Sequence, residues 1–361
     1  MTLESFSEQR RKETTTPAED TLTAQHQAEA QLYNHACQLL TIHESLLQDA
    51  DRNIAFFQAL KESINRDSLV LDIGSGTGLW AIAAAKLGAK HVVAIEQEPL
   101  LIGLIKSLAR ENGVSDKVQV VQGQSGQIQL EAKFDVVISE TIGHLIFDEQ
   151  IVQIMIDARQ RFLKTDGALI PNSVRLVVAP AFFERPVSLP VGISAAYDYF
   201  DSLILNVPVG LTDKSRLKIV GAPQDLVRVD LTTAMSPPDL NNLSARWALL
   251  DTKQINCFAV WAEADLTPHI NIATMQTTSW STTVYRIKPF TEQQGAVDFK
   301  LALTSSTNYW TATLSKDQHE EVRNYSPAFA GAELLAQTRI NARAFSHLKE
   351  KGLLELSTKS V

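Results

Sequence analysis

The sequence predicts a doubly wound α/β domain followed by an antiparallel β domain, and three observations predict it. An apolar run ends in an acidic residue and a glycine-rich turn over residues 70–78, VLDIGSGTG. Apolar strands and amphipathic helices then alternate as far as residue 163. Beyond residue 171, short Val-, Thr- and Phe-rich segments take over, separated by Pro, Gly, Asn and Asp. Alternation implies a parallel sheet with right-handed crossovers, and the later texture implies antiparallel pairing. At 361 residues, 45% of them apolar, the chain exceeds what one hydrophobic core usually serves, which favours two domains.

The elements follow in order. Residues 1–21 are polar and read as a mobile tail. Residues 22–65 read as two helices, because Leu39, Leu40, Leu46, Leu47, Phe56 and Leu60 recur at helical spacing. Residues 68–73 form a short apolar run bounded by glycine, as expected of a buried parallel strand, with an Ala-rich helix over 79–87 behind it. A strand at 91–96, a helix at 100–111, strands at 117–122 and 134–139, a helix at 148–163 and a turn at 164–167 continue the pattern. The first domain is placed at 22–171 and the β domain at 172–325, with strands at 174–178, 256–262, 270–273, 282–287 and 297–302. Residues 326–361 return to helical spacing through Leu334, Leu335, Ile340, Ala344, Leu348 and Leu353, and read as a helical extension.

Composition excludes several functions. A net charge of −8 with no Lys/Arg block opposes nucleic-acid binding and suits a cationic substrate. No apolar stretch approaches the ~20 residues of a membrane span, and the first residues hold no secretory core, so no membrane partner and a cytoplasmic location are expected. Two cysteines, Cys37 and Cys257, make neither a disulfide framework nor a metal-ligand spacing, so no metal is expected.

The turn at 72–78 carries the first chemical signal. Its glycines, Gly74, Gly76 and Gly78, permit a sharp turn and close approach to a ligand, at the strand ends where open α/β sheets bind. The spacing is GxGxG rather than GxGxxG, and no GK[ST] follows, so neither the dinucleotide nor the triphosphate fingerprint is met. Glu96 ends the next strand, where a carboxylate accepts both hydroxyls of a ribose. With Asp72 in register, these residues predict an adenosyl ligand without phosphates.

At this point the residues resemble class I methyltransferases, and the pattern from about residue 30 to about 316 resembles the protein arginine methyltransferase family. Four blocks carry the resemblance: IHESLLQDADR at 42–52, VLDIGSGTG, SETIGHLIFDE at 139–149, and TTSWSTTVY at 277–285. It implies S-adenosylmethionine as cofactor, with His43 and Arg52 closing over it and Arg52 pairing with its methionine carboxylate. It further implies that Gly74 touches the cofactor through backbone, that Glu96 holds the ribose, and that Glu140 and Glu149 are the paired glutamates that grip a guanidinium. By the same resemblance the β domain is an antiparallel β-barrel, Tyr33, Asp49, Ser279 and Trp280 fall at substrate-side positions, and residues 184–209, with Tyr197, Tyr199 and Phe200, resemble a dimerisation arm.

Departures from the family pattern are specific. Asn34 and Cys37 replace aromatics beside Tyr33, Ser279 stands where most members carry His, and Leu46 replaces a methionine that crowds the acceptor. An acid contacting the adenine amino group falls near Ser125 or Gly126, and neither is acidic. The leading expectation is methyl transfer to a guanidino nitrogen of free arginine, an arginine-like small molecule or protein-borne arginine, by a homodimer. The alternatives are an amine or hydroxyl acceptor on the same fold and a non-catalytic dimeric scaffold.

Overall fold

A computed structural model describes residues 17–143, 145–184, 203–303 and 308–327. The chain divides between Gln48 and Asp49 into two compact units. The described residues of the first form the helix α1 (Pro17–Gln48), 32 residues long. It begins earlier than residue 22, with Pro17 at a first-turn position where its missing N–H costs nothing.

The second unit opens with α2 (Ala50–Ser63). Asp49 starts it: its backbone is extended (φ −78°, ψ 91°), and its Oδ1 accepts the Arg52 N–H at 3.2 Å as an N-cap. The parallel sheet follows, as β1 (Leu69–Ile73), α3 (Leu79–Lys86), β2 (His91–Glu96), α4 (Pro99–Glu111), β3 (Val118–Gln122), β4 (Phe134–Ser139), α5 (Ile151–Arg161) and β5 (Leu163–Ile170). Strand order is β3-β2-β1-β4-β5, so the winding reverses between β1 and β4, which is where such sheets open a ligand crevice. Val70, Leu71, Val92, Ala94, Val136, Val137 and Ile138 are fully buried, and each large one contributes about 1.5–3 kcal/mol of burial. On α4 the stripe Leu101, Ile105, Ala109 repeats every four residues and packs inward.

One expectation fails here. The turn predicted at 164–167 lies within β5. Its residues occupy a register shift, in which Phe134 pairs with Leu163 while Val136 pairs with Ala168. Turn-forming Asp166-Gly167 chemistry is expressed as an irregularity inside a strand. Helix α5 is also shorter than 148–163, because Gln150 at its start has φ +63°.

The change of sheet type falls between Ile170 and Ser173. One antiparallel sheet contains β6 (Ser173–Phe183), β7 (Val209–Leu211), β8 (Leu217–Ile219), β9 (Gln224–Asp230), β11 (Cys257–Asp265), β12 (Asn271–Ala273) and β13 (Thr282–Arg286). The other contains β10 (Leu243–Asp251), β14 (Gln294–Leu303), β15 (Asn308–Lys316) and β16 (His319–Tyr325). Rings join them across the barrel interior: Phe258 stacks on Phe299 at 4.5 Å, Trp247 meets Phe258 at 5.6 Å, and Tyr285 meets Trp310 edge-on at 5.0 Å. Most of the predicted arm and all but the first two residues of the predicted helical extension lie outside the described residues. Among the described residues, no helix is long and apolar enough to cross a membrane.

Candidate active site

At the carboxyl ends of β1 to β4 the sheet opens a crevice of about 530 Å³. Gly74 after β1, Glu96 ending β2, Ser125 after β3, and Thr141 and Glu149 after β4 all line it. Gly74 has φ +69°, and a Cβ there would stand 2.8 Å from Thr141 Cγ2. Its N–H and that of Ser75 both donate to Ile95 O at 3.0 Å, which ties the turn to β2. Glu96 is held by the Gly76 N–H on Oε2 (2.7 Å) and the Glu98 N–H on Oε1 (2.8 Å). Each carboxylate oxygen keeps a further acceptor site for a hydroxyl. The bare Gly74 cradle and the anchored Glu96 acid fit a phosphate-free adenosyl group.

The other residues of the turn serve from behind the crevice. Gly78 (φ +83°) starts α3, and a Cβ on it would meet Ile105 Cγ2 at 2.8 Å, so its work is close packing of α3 on α4. Asp72 is wholly buried, and its Oδ2 accepts the Ser75 hydroxyl and the Ala81 N–H (3.0 Å). Burial pushes this carboxyl up to about 7, against the pull of those two bonds and with a further push from Glu96. Gly74→Ala is expected to destabilise the fold by about 1–2 kcal/mol through the left-handed backbone alone. S-adenosylhomocysteine is expected to raise the melting temperature of the native chain and not that of this variant, and melting curves with and without that ligand check both effects.

The acidic loop begins where β4 ends. The Ser139 hydroxyl donates to Ile73 O at 2.9 Å, which fixes the end of β4 against β1. Glu140 follows with its side chain 8% exposed; its Oε2 accepts from Arg52 Nη2 and its Oε1 from the Trp280 indole at 3.2 Å. A bridge between Gly143 and Ile146 folds the loop back, and Glu149 reaches the crevice wall. Glu149 is exposed as a residue, yet burial of its carboxyl raises its pKa, as does Asp148, while Arg52 lowers it.

Arg52 sits among the rings of Trp80 (5.6 Å), Phe56 (5.9 Å) and Trp280 (6.0 Å). Burial pushes its pKa down to about 10, against Asp49 and Glu149, which raise it. The resemblance assigns Arg52 to the methionine carboxylate of the cofactor, whereas here its guanidinium engages Glu140. A cation buried this deeply needs an anion, and Glu140 supplies it.

Asp49 connects two distant sequence blocks. Besides capping α2, its Oδ2 accepts from Ser279 Oγ (2.6 Å), Ser279 N (2.8 Å) and Thr278 N (2.9 Å). Burial alone would raise this carboxyl, but the bonds from Ser279, Arg52 and Thr278 outweigh it and hold the pKa below the usual range. Tyr33 and His43 belong to the first unit, on α1: Tyr33 is exposed and its phenol is raised by a hydrogen bond with Cys37, and His43 is half-buried. Sequence reasoning missed Lys214, whose ammonium donates to Thr277 O (2.6 Å) and Trp280 O (2.7 Å). It also missed Gln153, Ile154 and Asp157 of α5, which line the crevice, and whose only signal was a helix following the acidic loop. Both cysteines are free, and burial pushes Cys257 up to about 12.

An open parallel sheet with its crevice at the β1/β4 reversal, followed by antiparallel sheets, is a two-domain architecture shared with solved methyltransferases. A family model described as Ribosomal protein L11 methyltransferase (PrmA) matches residues 55–173. Probable protein arginine N-methyltransferase 6 of Arabidopsis thaliana is 33% identical over 150 residues, 41% of this chain and 34% of that protein. Arginine N(omega)-methyltransferase of Streptomyces achromogenes subsp. streptozoticus is 31% identical over 243 residues, 64% of this chain and 66% of that protein. The chain thus spans 34–41% of the length of the first curated relatives it matches. Among solved structures, Arabidopsis thaliana protein arginine methyltransferase 10 superposes with a TM-score of 0.64 at 20% identity, covering 80% of this chain and 99% of that one. The Trypanosoma brucei PRMT1 enzyme-prozyme heterotetrameric complex with AdoHcy gives 0.63 at 20% identity, covering 79% and 97%. The chain is similar to members of the protein arginine methyltransferase family in sequence and in fold.

Proposed function

We propose that this chain transfers the methyl group of S-adenosylmethionine to a guanidino nitrogen of free arginine, of an arginine-like small molecule or of a protein-borne arginine, as a cytoplasmic homodimer. The observation that carries the reading is the acidic loop: Glu140 is pinned by Trp280 and Arg52 at the carboxyl end of β4, and Glu149 lines the crevice that Gly74 and Glu96 also line. Bound there, S-adenosylmethionine supplies a sulfonium methyl, open to displacement. Glu96 accepts ribose hydroxyls, and the Gly74 backbone allows the close approach of the donor. Glu140 and Glu149 accept N–H bonds from the planar fork of the acceptor guanidinium and aim one nitrogen along the line of attack. Orientation of this kind lowers a barrier by about 7–11 kcal/mol, so the guanidinium need not be deprotonated beforehand. Its proton leaves during or after transfer, from a nitrogen whose charge the two carboxylates offset.

A small acceptor is favoured over a protein chain, because the match with the Streptomyces relative named for arginine itself runs through 64% of this chain. Incubation with labelled S-adenosylmethionine and free arginine, agmatine or an arginine-rich peptide tests the reading. Free arginine is expected to gain mass in steps of one methyl and the peptide not to. Labelling of the peptide alone would overturn the choice of acceptor, and labelling of none of the three would overturn guanidino transfer.

A further inference from the structure

We infer that Lys214 is a positioning residue that holds the loop at 277–280 in place, so that the Trp280 indole stays on Glu140. The loop enters β13, and Lys214 follows β7, the neighbour of β13, through the pairing of Thr282 with Leu211. The chain turns there, with Ser215 N–H on Asp213 Oδ1 at 2.9 Å and Leu217 N–H on Lys214 O at 2.9 Å, which aims the half-buried lysine across the sheet edge. Thr277 is 2% exposed and Trp280 4%, so their carbonyls need donors from the protein. The Lys214 ammonium supplies both, at 2.6 and 2.7 Å. On the loop's other side the Asp49 carboxylate takes the N–H groups of Thr278 and Ser279. An anion on the donors and a cation on the acceptors therefore grip four consecutive residues, and the last of them places its ring nitrogen 3.2 Å from Glu140 Oε1.

The kinetic consequence rests on the guanidino-transfer reading; the structural consequence does not. Lys214→Met keeps the stem and removes the donors. It is expected to lower kcat about tenfold or more, the size of a lost hydrogen bond to a charged group, while S-adenosylhomocysteine affinity is retained. Lys214→Arg, which restores a cationic donor, should recover most of the loss. In a Trp280→Phe background Lys214→Met should add little, because the two act through one contact. In ¹⁵N-indole spectra, with Trp280 assigned through Trp280→Phe, Lys214→Met should move the Trp280 resonance and leave the other tryptophans in place. This last reading stands even if no acceptor is ever methylated. Should Lys214→Met fail to fold, Lys214→Gln, which keeps one donor group, carries the same measurements. An unmoved Trp280 resonance, or kcat losses that multiply in the double variant, would overturn the inference.

Discussion

Glu149→Gln is expected to lower kcat about 100- to 1,000-fold, the range for removing one preorganised electrostatic contact from a reacting group, with S-adenosylhomocysteine affinity essentially unchanged by calorimetry. The substitution keeps shape and removes the charge that balances the acceptor cation. Glu149 carries no structural ion pair as tight as that of Glu140, so its variant should melt close to the native chain. Glu140→Gln should collapse turnover as fully but also lower the melting temperature, because it takes the carboxylate from a buried guanidinium. The Gln side chain still accepts the Trp280 indole bond, so the loop is retained. Full turnover in both variants would remove the two glutamates from the reaction.

Arg52→Met carries the largest expected cost in stability. It leaves Glu140 buried with no cation, and breaking a buried pair from one side costs about 3–5 kcal/mol. Arg52→Lys keeps a charge but loses the planar fork that spans Glu140 and Asn53 at once, where Nη1 donates to Asn53 Oδ1 at 2.7 Å, so it should fall between native and Met variants. Urea denaturation of Arg52→Met, Glu140→Leu and the double variant measures the coupling. The two losses should be non-additive by about 0.5–3 kcal/mol, and strict additivity would deny that the pair forms. Activity should be absent from Arg52→Met, because the same side chain orders Glu140 and faces Glu149 electrostatically.

What was legible in the sequence follows burial. The strands at 91–96 and 134–139 are found residue for residue, because central parallel strands are apolar on both faces and end in sharp polar punctuation. β10, β15 and β16 were not singled out. β10 alternates buried and exposed residues, and its polar half masks the apolar half. The site shows the same division. Gly74 and Glu96 lie at or just beyond strand ends and Glu149 on the loop that follows β4, so the order of elements along the chain places these three around one crevice. Glu140, directly after β4, instead turns its carboxylate to Arg52 and Trp280 and does not line it. Gly78 carries the same sequence signature as Gly74, but only the packing of Ile105 reveals its different task. Lys214 had no signal at all, since its partners are carbonyls that the pairing of β7 with β13 brings within reach. The link between Asp49 and Ser279 spans most of the chain, and no local pattern announces it.

The most direct measurement is a crystal structure of the chain with S-adenosylhomocysteine and arginine bound together. The account requires the arginine guanidinium to lie between the Glu140 and Glu149 carboxylates, with one nitrogen facing the thioether sulfur. A guanidinium seated elsewhere, with both carboxylates turned to solvent, would contradict it.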